Sequence, residues 1–512
     1  MGDEADPGER ERSLQRFYAD KVFLLGDKGW RVWKNSSLTK DTVERMARWA
    51  AESSHGLFWK PPVPVGSFAE GLHLQEAEDC NGFDYLVPVR YNPKLALVSG
   101  RGGGGGAAGA ARALERRLPT YIFREKGVPV LHRGNRLLVD LELLGEVYVD
   151  IYCEPQGPEE EEEEFIIPDR LDECQKSITQ HNLDPVQILK DFHHCIEISL
   201  DPAYTHPQQN DPVFQRRLFP SRVPKMHKIR EKIRLEALDL EGPGIELAFD
   251  EGVETVPVKL VPAIQGVIKL SNQWIREDLT HLSDWWDGDL TNEKKNFLRK
   301  ARALWELGPE LVAKGGFWRL SFSRVEATLI EDVDADEGQR RPALRLLKFV
   351  NKTRWTPEYG KILTSYHLKT ILLWCCEIYP QKAQWETLLS ALQALLAILK
   401  HTLTKRRLPH YFLAPVNLFS RCYKSNNAIY RPLALEALCH EAEAMLADPV
   451  GYLMPDLELP DCVSPEYEEK MAALQEFKQK HQEELKELKR MEDEHMYEEA
   501  EISEEEDCVN PM

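Results

Sequence analysis

The sequence predicts an α+β protein in which a β-rich first half is followed by a helical second half. Residues 60–98 combine turn residues with the short apolar strand Phe83–Val89. A hairpin is predicted around Gly145-Glu146, and strands near 245–264 complete the sheet. Helical periodicity then dominates from Ser271 to Ala447. A mixed sheet that leads into a helical lobe is the expected architecture.

Composition indicates a protein without a membrane span. The 512-residue chain is 42% hydrophobic and carries a net charge of −20, concentrated in Glu159–Glu164 and after Pro465. No run of 18 apolar residues could cross a bilayer, and the N-terminus has no secretory h-region. The ten cysteines include no C-x-x-C pair, which favours a reducing compartment. We therefore expect a cytoplasmic protein, with the nucleus as the alternative.

Breaks in composition divide the chain into four segments. They are an N-terminal leader and helix at 1–59, a core at 60–270, a helical lobe at 271–455 and a charged helix with an acidic tail at 456–512. The core carries two insertions, a Gly-rich one at 102–109 and a Glu-rich one at 159–164.

The first candidate site joins a Gly-Ser turn to a strand carboxylate. Gly66-Ser67 precedes Asp84 by seventeen residues, and such a turn can present backbone N–H groups and a hydroxyl to phosphates. Asp84 could bind a metal ion that neutralises those phosphates. A two-metal site needs a second acid two residues away on the same strand face, but that position is Gly82. Half of the expected metal ligands are missing.

Three later blocks resemble the C-terminal lobe of the Mab-21 family, whose best-known relative is cyclic GMP-AMP synthase. They are Trp318–Arg324, Leu363–Thr370, and His410–Phe412 with Asn417–Phe419. The resemblance runs from about residue 60 to about 450. It implies a bilobal nucleotidyltransferase fold, with a mixed-sheet core, a helical lobe and a nucleotide or phosphate cleft between them.

The resemblance assigns roles to individual residues of the core. Gly66 and Ser67 match the phosphate turn, Asp84 the second catalytic acid, and Gly82 the first. The third acid falls on Pro257, or on Lys259 if the register shifts by two residues. Neither residue binds Mg²⁺, the cofactor that the resemblance implies. With one of three carboxylates left, we expect impaired catalysis.

Further matches indicate nucleotide contacts in the second half of the chain. Arg319, Ser365 and Tyr366 match positions that contact base or phosphate, and Lys348 or Lys352 lies near another. Two structural alternatives stay open: Arg319 in a partly buried salt bridge, and Tyr366 as a core aromatic with a satisfied hydroxyl.

A zinc site and DNA binding are not expected. The DNA-sensing relative inserts a His/Cys zinc thumb after the block that ends at Ile330, where this chain has the acidic segment Glu331–Gly338. That segment contains no cysteine or histidine, so it cannot build an N/S zinc site. We expect a solvated loop that repels a phosphate backbone.

Charged segments suggest other contacts. The stretch Gln215–Arg234 has a charge density that suits phosphate groups, although a solvated helix face is the favoured explanation, and the cluster Lys294–Arg302 could line the cleft from the opposite lobe. Beyond Pro460, apolar residues recur at helical spacing, but Lys478 and His481 interrupt the seam. We expect a solitary charged helix rather than a coiled coil, with a tail that recruits a protein partner.

Two functional hypotheses follow. The first is a catalytically impaired regulatory or scaffold protein that binds a nucleotide or other phosphate ligand in the cleft. The second is an active nucleotidyltransferase that makes a cyclic dinucleotide or oligonucleotide from ATP and GTP. The second requires acids beside Asp84 from elsewhere, with Glu78, Asp79, Asp140 and Asp150 as candidates.

Overall fold

A computed structural model describes most of the elements that the sequence predicts. The described residues are 7–23, 40, 42–44, 46–47, 50, 58, 61–74, 83–89, 95–99, 136–141, 145–153, 185–200, 233–240, 242, 244–250, 255–264, 309–314, 317–412, 417–419, 430–455, 465–486 and 490. The predicted Gly-rich and Glu-rich insertions, residues 215–232 of the first basic stretch, the basic cluster 294–302 and the final acidic tail lie outside these residues.

A ten-stranded mixed sheet forms the first part of the fold. Its strands are β1 (Val63–Val65), β2 (Phe83–Val89), β3 (Leu95–Ser99), β4 (Arg136–Leu141), β5 (Gly145–Cys153), β6 (Ile233–Leu235), β7 (Ile245–Asp250), β8 (Thr255–Ile264), β9 (Glu310–Lys314) and β10 (Phe317–Ser321). The order is β1-β2-β8-β9-β10-β4-β5-β3, and β6 pairs with β7, which also pairs with β8. Only β2 with β8 and β10 with β4 run parallel. The mixed sheet and the many helices confirm an α+β protein.

One face of the sheet is apolar around β2 and β8. Side chains alternate along a strand, so Leu86 on β2 and Val261 with Ala263 on β8 share a face. They form a buried cluster with Val65 and Val312.

One short helix and two longer helices belong to the same unit as the sheet. The short one is α2 (Gly66–Ala69), and the longer ones are α3 (Pro185–Leu200) and α4 (Ser323–Ile330). The bounds of α3 and of β2 confirm the predicted helix and strand. Apolar residues of α3, including Ile188 and Phe192, are buried where the helix packs against β8, β9 and β10.

The strands β9 and β10 differ from the predicted division of the chain. Sequence patterning places residues 271–455 in the helical lobe, whereas residues 310–321 pair into the sheet. Phe317–Ser321 alternates in the way a strand does, and Trp318 pairs with Val139 on β4. Non-local pairing thus decided where this segment belongs.

The second part of the fold is helical. After α1 (Pro7–Phe17), its helices are α5 (Arg340–Val350), α6 (Thr356–Tyr359), α7 (Ser365–Ile378), α8 (Leu388–Thr404), α9 (Tyr430–Ala447), α10 (Pro449–Leu453) and α11 (Pro465–Lys480). Trp355, Trp374 and Trp385 are nearly fully buried among them. Each indole N–H is satisfied, by Tyr452, Pro409 and Tyr379 respectively. These aromatic side chains fix how the helices pack.

The N-terminal helix α1 packs against α8. Both carboxylate oxygens of Glu11 accept hydrogen bonds from the first N–H groups of α8, at Leu388 (3.0 Å) and Leu389 (2.9 Å). This contact satisfies donors that a helix leaves unpaired at its start. Leu14 is fully buried. The segment predicted as a leader therefore belongs structurally to the helical part.

The charged helix α11 packs against α9 rather than standing alone. Leu474 is 2% exposed, and Lys478 donates to the buried carboxylate of Glu441 at 2.7 Å. Tyr359 also donates to Glu441, at 2.6 Å, as does Tyr452. The expectation of a solitary helix was wrong, because Lys478 finds a buried partner 37 residues away in the chain.

Two compact units result. One contains the described residues 7–23 and 332–490, and the other contains those from 40 to 264 and from 309 to 331. Among the described residues, no helix is long and apolar enough to cross a membrane.

Candidate functional site

The predicted phosphate turn and the strand acid come together in the sheet unit. Val65, the last residue of β1, pairs with Asp84 on β2, and the chain turns directly afterwards. Gly66 has φ +76°, and a Cβ placed on it would lie 2.6 Å from Asp84 Oδ2. Only glycine fits this turn, because both the backbone conformation and the space exclude a side chain. Ser67 follows and is partly exposed.

The register of β2 with β8 identifies the neighbour of Asp84. Asp84 pairs with Lys259, while Val258 pairs with Phe83. Pro257 lies two residues before Lys259 on β8 and is exposed. The residue in register with Asp84 is thus Lys259, and its match to the third acid position stays a prediction.

Lys259 in turn contacts a carboxylate on the next strand. Glu246 on β7 pairs with Lys259, and Lys259 Nζ donates to Glu246 Oε1 at 2.7 Å. The side chains are 27% and 56% exposed, respectively. Sequence reasoning missed Glu246, because the alternation along β7 shows an exposed acid but not its cross-strand partner.

Asp84 and Lys259 lie at the polar end of an otherwise apolar face. Two residues further along each strand, Leu86 and Val261 belong to the buried cluster. The polar pair therefore stands where the face first becomes accessible, and a ligand could reach it without disturbing the core.

The structure does not bring Asp140 or Asp150 to Asp84. Asp140 on β4 is four strands from β2 in the sheet, about 19 Å at about 4.8 Å per strand, and Asp150 on β5 is one strand further. Carboxylates that share Mg²⁺ ions must lie within about 5 Å of one another. Gly82, Glu78 and Asp79 lie outside the described residues.

These surroundings do not fit a two-metal site. Within the described part of the chain, no three His, Cys, Asp or Glu side chains converge as metal ligands. The residue paired with Asp84 on the neighbouring strand β8 is Lys259, whose ammonium group repels a divalent cation.

Arg319 is on β10 and is partly buried. It pairs with Val312 on β9, three strands away from β2 in the sheet order. It does not lie beside the Gly66–Asp84 turn within this sheet, and its predicted ligand contact stays a prediction.

Tyr366 forms a polar pair inside the helical unit. Its hydroxyl lies 2.8 Å from His410 Nε2, and Phe412 N–H donates to His410 Nδ1. Since Nδ1 accepts, we assign the ring proton of neutral His410 to Nε2, from which it is donated to the Tyr366 oxygen. The Tyr366 hydroxyl is therefore satisfied within the unit while its side chain is partly exposed, and its nucleotide contact stays a prediction.

Ser365 and Lys348 differ in exposure within the same unit. Ser365 is exposed at the start of α7, just after Thr364, whose side chain accepts the His367 N–H as the cap of that helix. Lys348 on α5 is only 5% exposed. Their roles as nucleotide contacts stay predictions.

The acidic segment after α4 is built into the fold, contrary to the expected solvated loop. The Asp334 carboxylate accepts the N–H groups of Arg340 and Arg341 and thereby caps α5. Asp336 binds the Arg340 guanidinium through both oxygens, at 2.6 and 3.0 Å. Although burial acts in the opposite direction, the Arg340 contact lowers the pKa of Asp336. Both acids therefore stabilise the start of α5.

Substitution of Gly66 tests the geometry of the turn. We expect Gly66→Ala to destabilise the sheet unit by about 1–3 kcal/mol through the positive φ and the contact with Asp84. In the double variant Gly66→Ala/Asp84→Ala, the steric part should be recovered, which a double-mutant cycle in urea measures as a coupling energy.

Gly71→Ala serves as the matched control, because Gly71 has φ +68° and reports the backbone cost by itself. If the two single variants are equally destabilised and the cycle shows no coupling, Asp84 does not lie over Gly66.

The helical unit contains a segment that matches a known protein family. Residues 339–431 match the profile of the Mab-21 protein HhH/H2TH-like domain. The chain is 28% identical to protein mab-21-like 3 of Danio rerio over 198 residues, which are 38% of this chain and 47% of the relative. It is 26% identical to protein mab-21-like 3 of Xenopus laevis over 251 residues, 46% of this chain and 64% of the relative.

A third relative has a shorter and more similar match. The chain is 34% identical to protein mab-21-like of Aedes aegypti over 108 residues, or 21% of this chain and 28% of the relative. The matches thus span less than two thirds of each of these relatives. The chain thus contains a Mab-21 HhH/H2TH-like domain and is similar to mab-21-like proteins over part of its length.

Proposed function

We propose that this protein is a nucleotidyltransferase-fold member of the Mab-21 family that binds a nucleotide or other phosphate ligand without transferring nucleotides. The observation that carries the proposal is the Lys259 side chain beside Asp84, where a catalytic site needs a carboxylate. The mixed sheet, the Gly66-Ser67 turn and the order of the three Mab-21-like blocks support the bilobal nucleotidyltransferase fold.

Nucleotide transfer is expected to be lost because the reaction requires two metal ions. One ion activates the attacking hydroxyl and the other stabilises the leaving pyrophosphate, and both are held by shared carboxylates. Two residues before Asp84 the chain has Gly82, and the partner of Asp84 on β8 is Lys259. Loss of metal positioning removes most of the acceleration in phosphoryl-type transfer.

Ligand binding can outlast this loss because it depends on other groups. A turn that offers backbone N–H groups and the Ser67 hydroxyl suits phosphate oxygens. Arg319, Lys348, Ser365 and Tyr366 are proposed nucleotide contacts, on the resemblance to the active relative. With such a ligand and a partner-recruiting acidic tail, the protein would act as a cytoplasmic regulatory or scaffold component.

An activity assay tests the proposal. Full-length protein is incubated with labelled ATP and GTP and either Mg²⁺ or Mn²⁺, with and without double-stranded RNA or DNA. We expect no dinucleotide or oligonucleotide product from the wild type or from Asp84→Ala, together with thermal stabilisation of the wild type by nucleotide.

Product that forms with the wild type and disappears in Asp84→Ala would establish the active nucleotidyltransferase instead. Glu246→Gln is the control for removal of a neighbouring carboxylate: product that is lost in Asp84→Ala but kept in Glu246→Gln would place the chemistry at Asp84.

A further inference from the structure

We infer that Lys259 takes the place of a divalent metal ion beside Asp84, so that the phosphate ligand binds this protein without Mg²⁺. The inference rests on the proposed ligand-binding function and specifies how the ligand is held. Its structural basis is a row of alternating charge on three adjacent strands.

The row is set by strand register. Glu246 on β7, Lys259 on β8 and Asp84 on β2 are successive partners, so their side chains emerge on the same sheet face from backbones about 4.8 Å apart. Lys259 thus lies on the strand between those of the two carboxylates, with its ammonium bonded to Glu246, while the Asp84 carboxylate lies over the Gly66 turn. A cation bound by Asp84 would occupy the same region.

The Lys259 side chain is able to change partners. It is partly exposed, and its contact with the 56% exposed Glu246 is a surface ion pair. Such pairs contribute about 0–1 kcal/mol, because solvent screens them and two flexible side chains must be ordered. A phosphate group carries more negative charge than a carboxylate and offers several acceptor oxygens. It can therefore replace Glu246 as the partner of the flexible Lys259 side chain.

Lys259 and a magnesium ion cannot both occupy the position beside Asp84. Mg²⁺ requires near-octahedral oxygen coordination and is usually held by carboxylates and phosphates. A fixed ammonium on the neighbouring strand adds charge repulsion and no ligand oxygen. Lysine holds phosphate as a point charge, as the lysine of phosphate-binding loops does.

The charges around Lys259 predict whether removal of a neighbouring carboxylate tightens or weakens ligand binding. One ammonium faces two carboxylates, so an incoming anion is attracted by Lys259 and repelled by Asp84 and Glu246. Removing either negative charge should therefore tighten binding. In a metal-dependent site the result for Asp84 is the opposite, because loss of the ligand carboxylate weakens metal and nucleotide together.

The experiment measures ATP binding to the full chain by calorimetry, in EDTA and in Mg²⁺, at constant ionic strength. For the wild type we expect dissociation constants within about threefold of each other in the two buffers. Lys259→Met should weaken binding in EDTA by about tenfold or more, the loss of a charge-assisted hydrogen bond. Glu246→Gln and Asp84→Asn should each tighten it by severalfold.

Lys190→Met is the matched control. Lys190 is an exposed cation on α3, outside the charged row and outside both basic clusters, so its loss should change affinity by less than about twofold. Lys259→Arg keeps the charge and should keep most of the binding. Circular dichroism of each variant verifies folding, and the two carboxylate variants test the inference even if Lys259→Met does not fold.

Each other outcome decides between the two proposals. Binding in Mg²⁺ that is lost in EDTA and in Asp84→Asn, with Lys259→Met unchanged, retains the ligand-binding function and rejects the role of Lys259. Absence of ATP and inorganic pyrophosphate binding in both buffers overturns the ligand-binding function itself.

Discussion

Replacement of Glu441 by alanine is expected to destabilise the helical unit by about 3–5 kcal/mol, the range for breaking a buried ion pair. The Glu441 carboxylate is 4% exposed and accepts hydrogen bonds from two tyrosine hydroxyls and from Lys478. Its removal leaves the two buried tyrosine hydroxyls without their acceptor, whereas Lys478 keeps its contact with Glu358. Urea unfolding gives the free energy, and hydrogen exchange of peptides from α9 and α11 localises the loss.

The physical basis is a network that joins the four helices α6, α9, α10 and α11. Burial and the neighbouring Glu441 raise the pKa values of Tyr359 and Tyr452, so both hydroxyls stay protonated donors. Burial by itself would lower the pKa of Lys478, yet Glu441 and Glu358 raise it overall. The ammonium also lies 5.6 Å from the Tyr359 ring centre.

The same helix provides the control. Glu436 on α9 pairs with Arg406, and both side chains are nearly half exposed, so Glu436→Ala should cost less than about 1 kcal/mol. Glu441→Gln keeps the shape and one acceptor and should fall between the two. Equal effects of Glu441→Ala and Glu436→Ala would show that the network does not stabilise the fold.

The second large effect is expected at Glu310, as a dependence of stability on pH. Glu310 on β9 is fully buried, with Oε1 accepting from Arg324 Nε at 2.6 Å. Its buried Oε2 has no hydrogen-bond partner in the structure. Burial outweighs the attraction of Arg324 and raises the pKa of Glu310 from 4.5 to about 7.

A raised pKa means that folding favours the protonated carboxyl. Glu310 therefore contributes stability that is fully present below pH 4.5 and is lost as pH rises through about 7. The loss amounts to about 3 kcal/mol, at about 1.4 kcal/mol for each pH unit between the two pKa values. Glu310→Gln lacks this titration and should become more stable relative to the wild type between pH 5 and pH 8.

Urea unfolding of both proteins at pH 5, 6, 7 and 8 measures the difference. Glu246→Gln, which removes an exposed carboxylate from the same sheet, controls for the loss of one negative charge. A difference between wild type and Glu310→Gln that stays constant over this range would mean that Glu310 does not titrate there.

Several features of the site were predictable because they depend on residues close together in the chain. Phe83–Val89 and Pro185–Leu200 form the predicted strand and helix, since local hydrophobic spacing indicates both. Gly66-Ser67 was identifiable because its turn requires a glycine. The absence of an acid at Gly82 and of zinc ligands in Glu331–Gly338 is likewise a property of the sequence.

Other features were wrong or left open because they depend on contacts between distant segments. Lys478 interrupts an apolar seam in the sequence, yet in the structure it binds Glu441 and joins α11 to α9. The acids of 331–338 suggested a solvated loop, yet Asp334 caps α5. In both cases a charge gained a partner that local patterning does not reveal.

The sequence by itself determined the strand β2, the helix α3, the glycine of the Gly66-Ser67 turn and the absence of an acid at position 82. Tertiary structure decided which residue stands beside Asp84. Lys259 rather than Pro257 occupies that place because strand register aligns residues that are 175 positions apart. Register is set by the burial of a whole face, with Leu86 and Val261 in one core, and a shift of two residues would misalign that core. The charge next to the site is thus a consequence of packing.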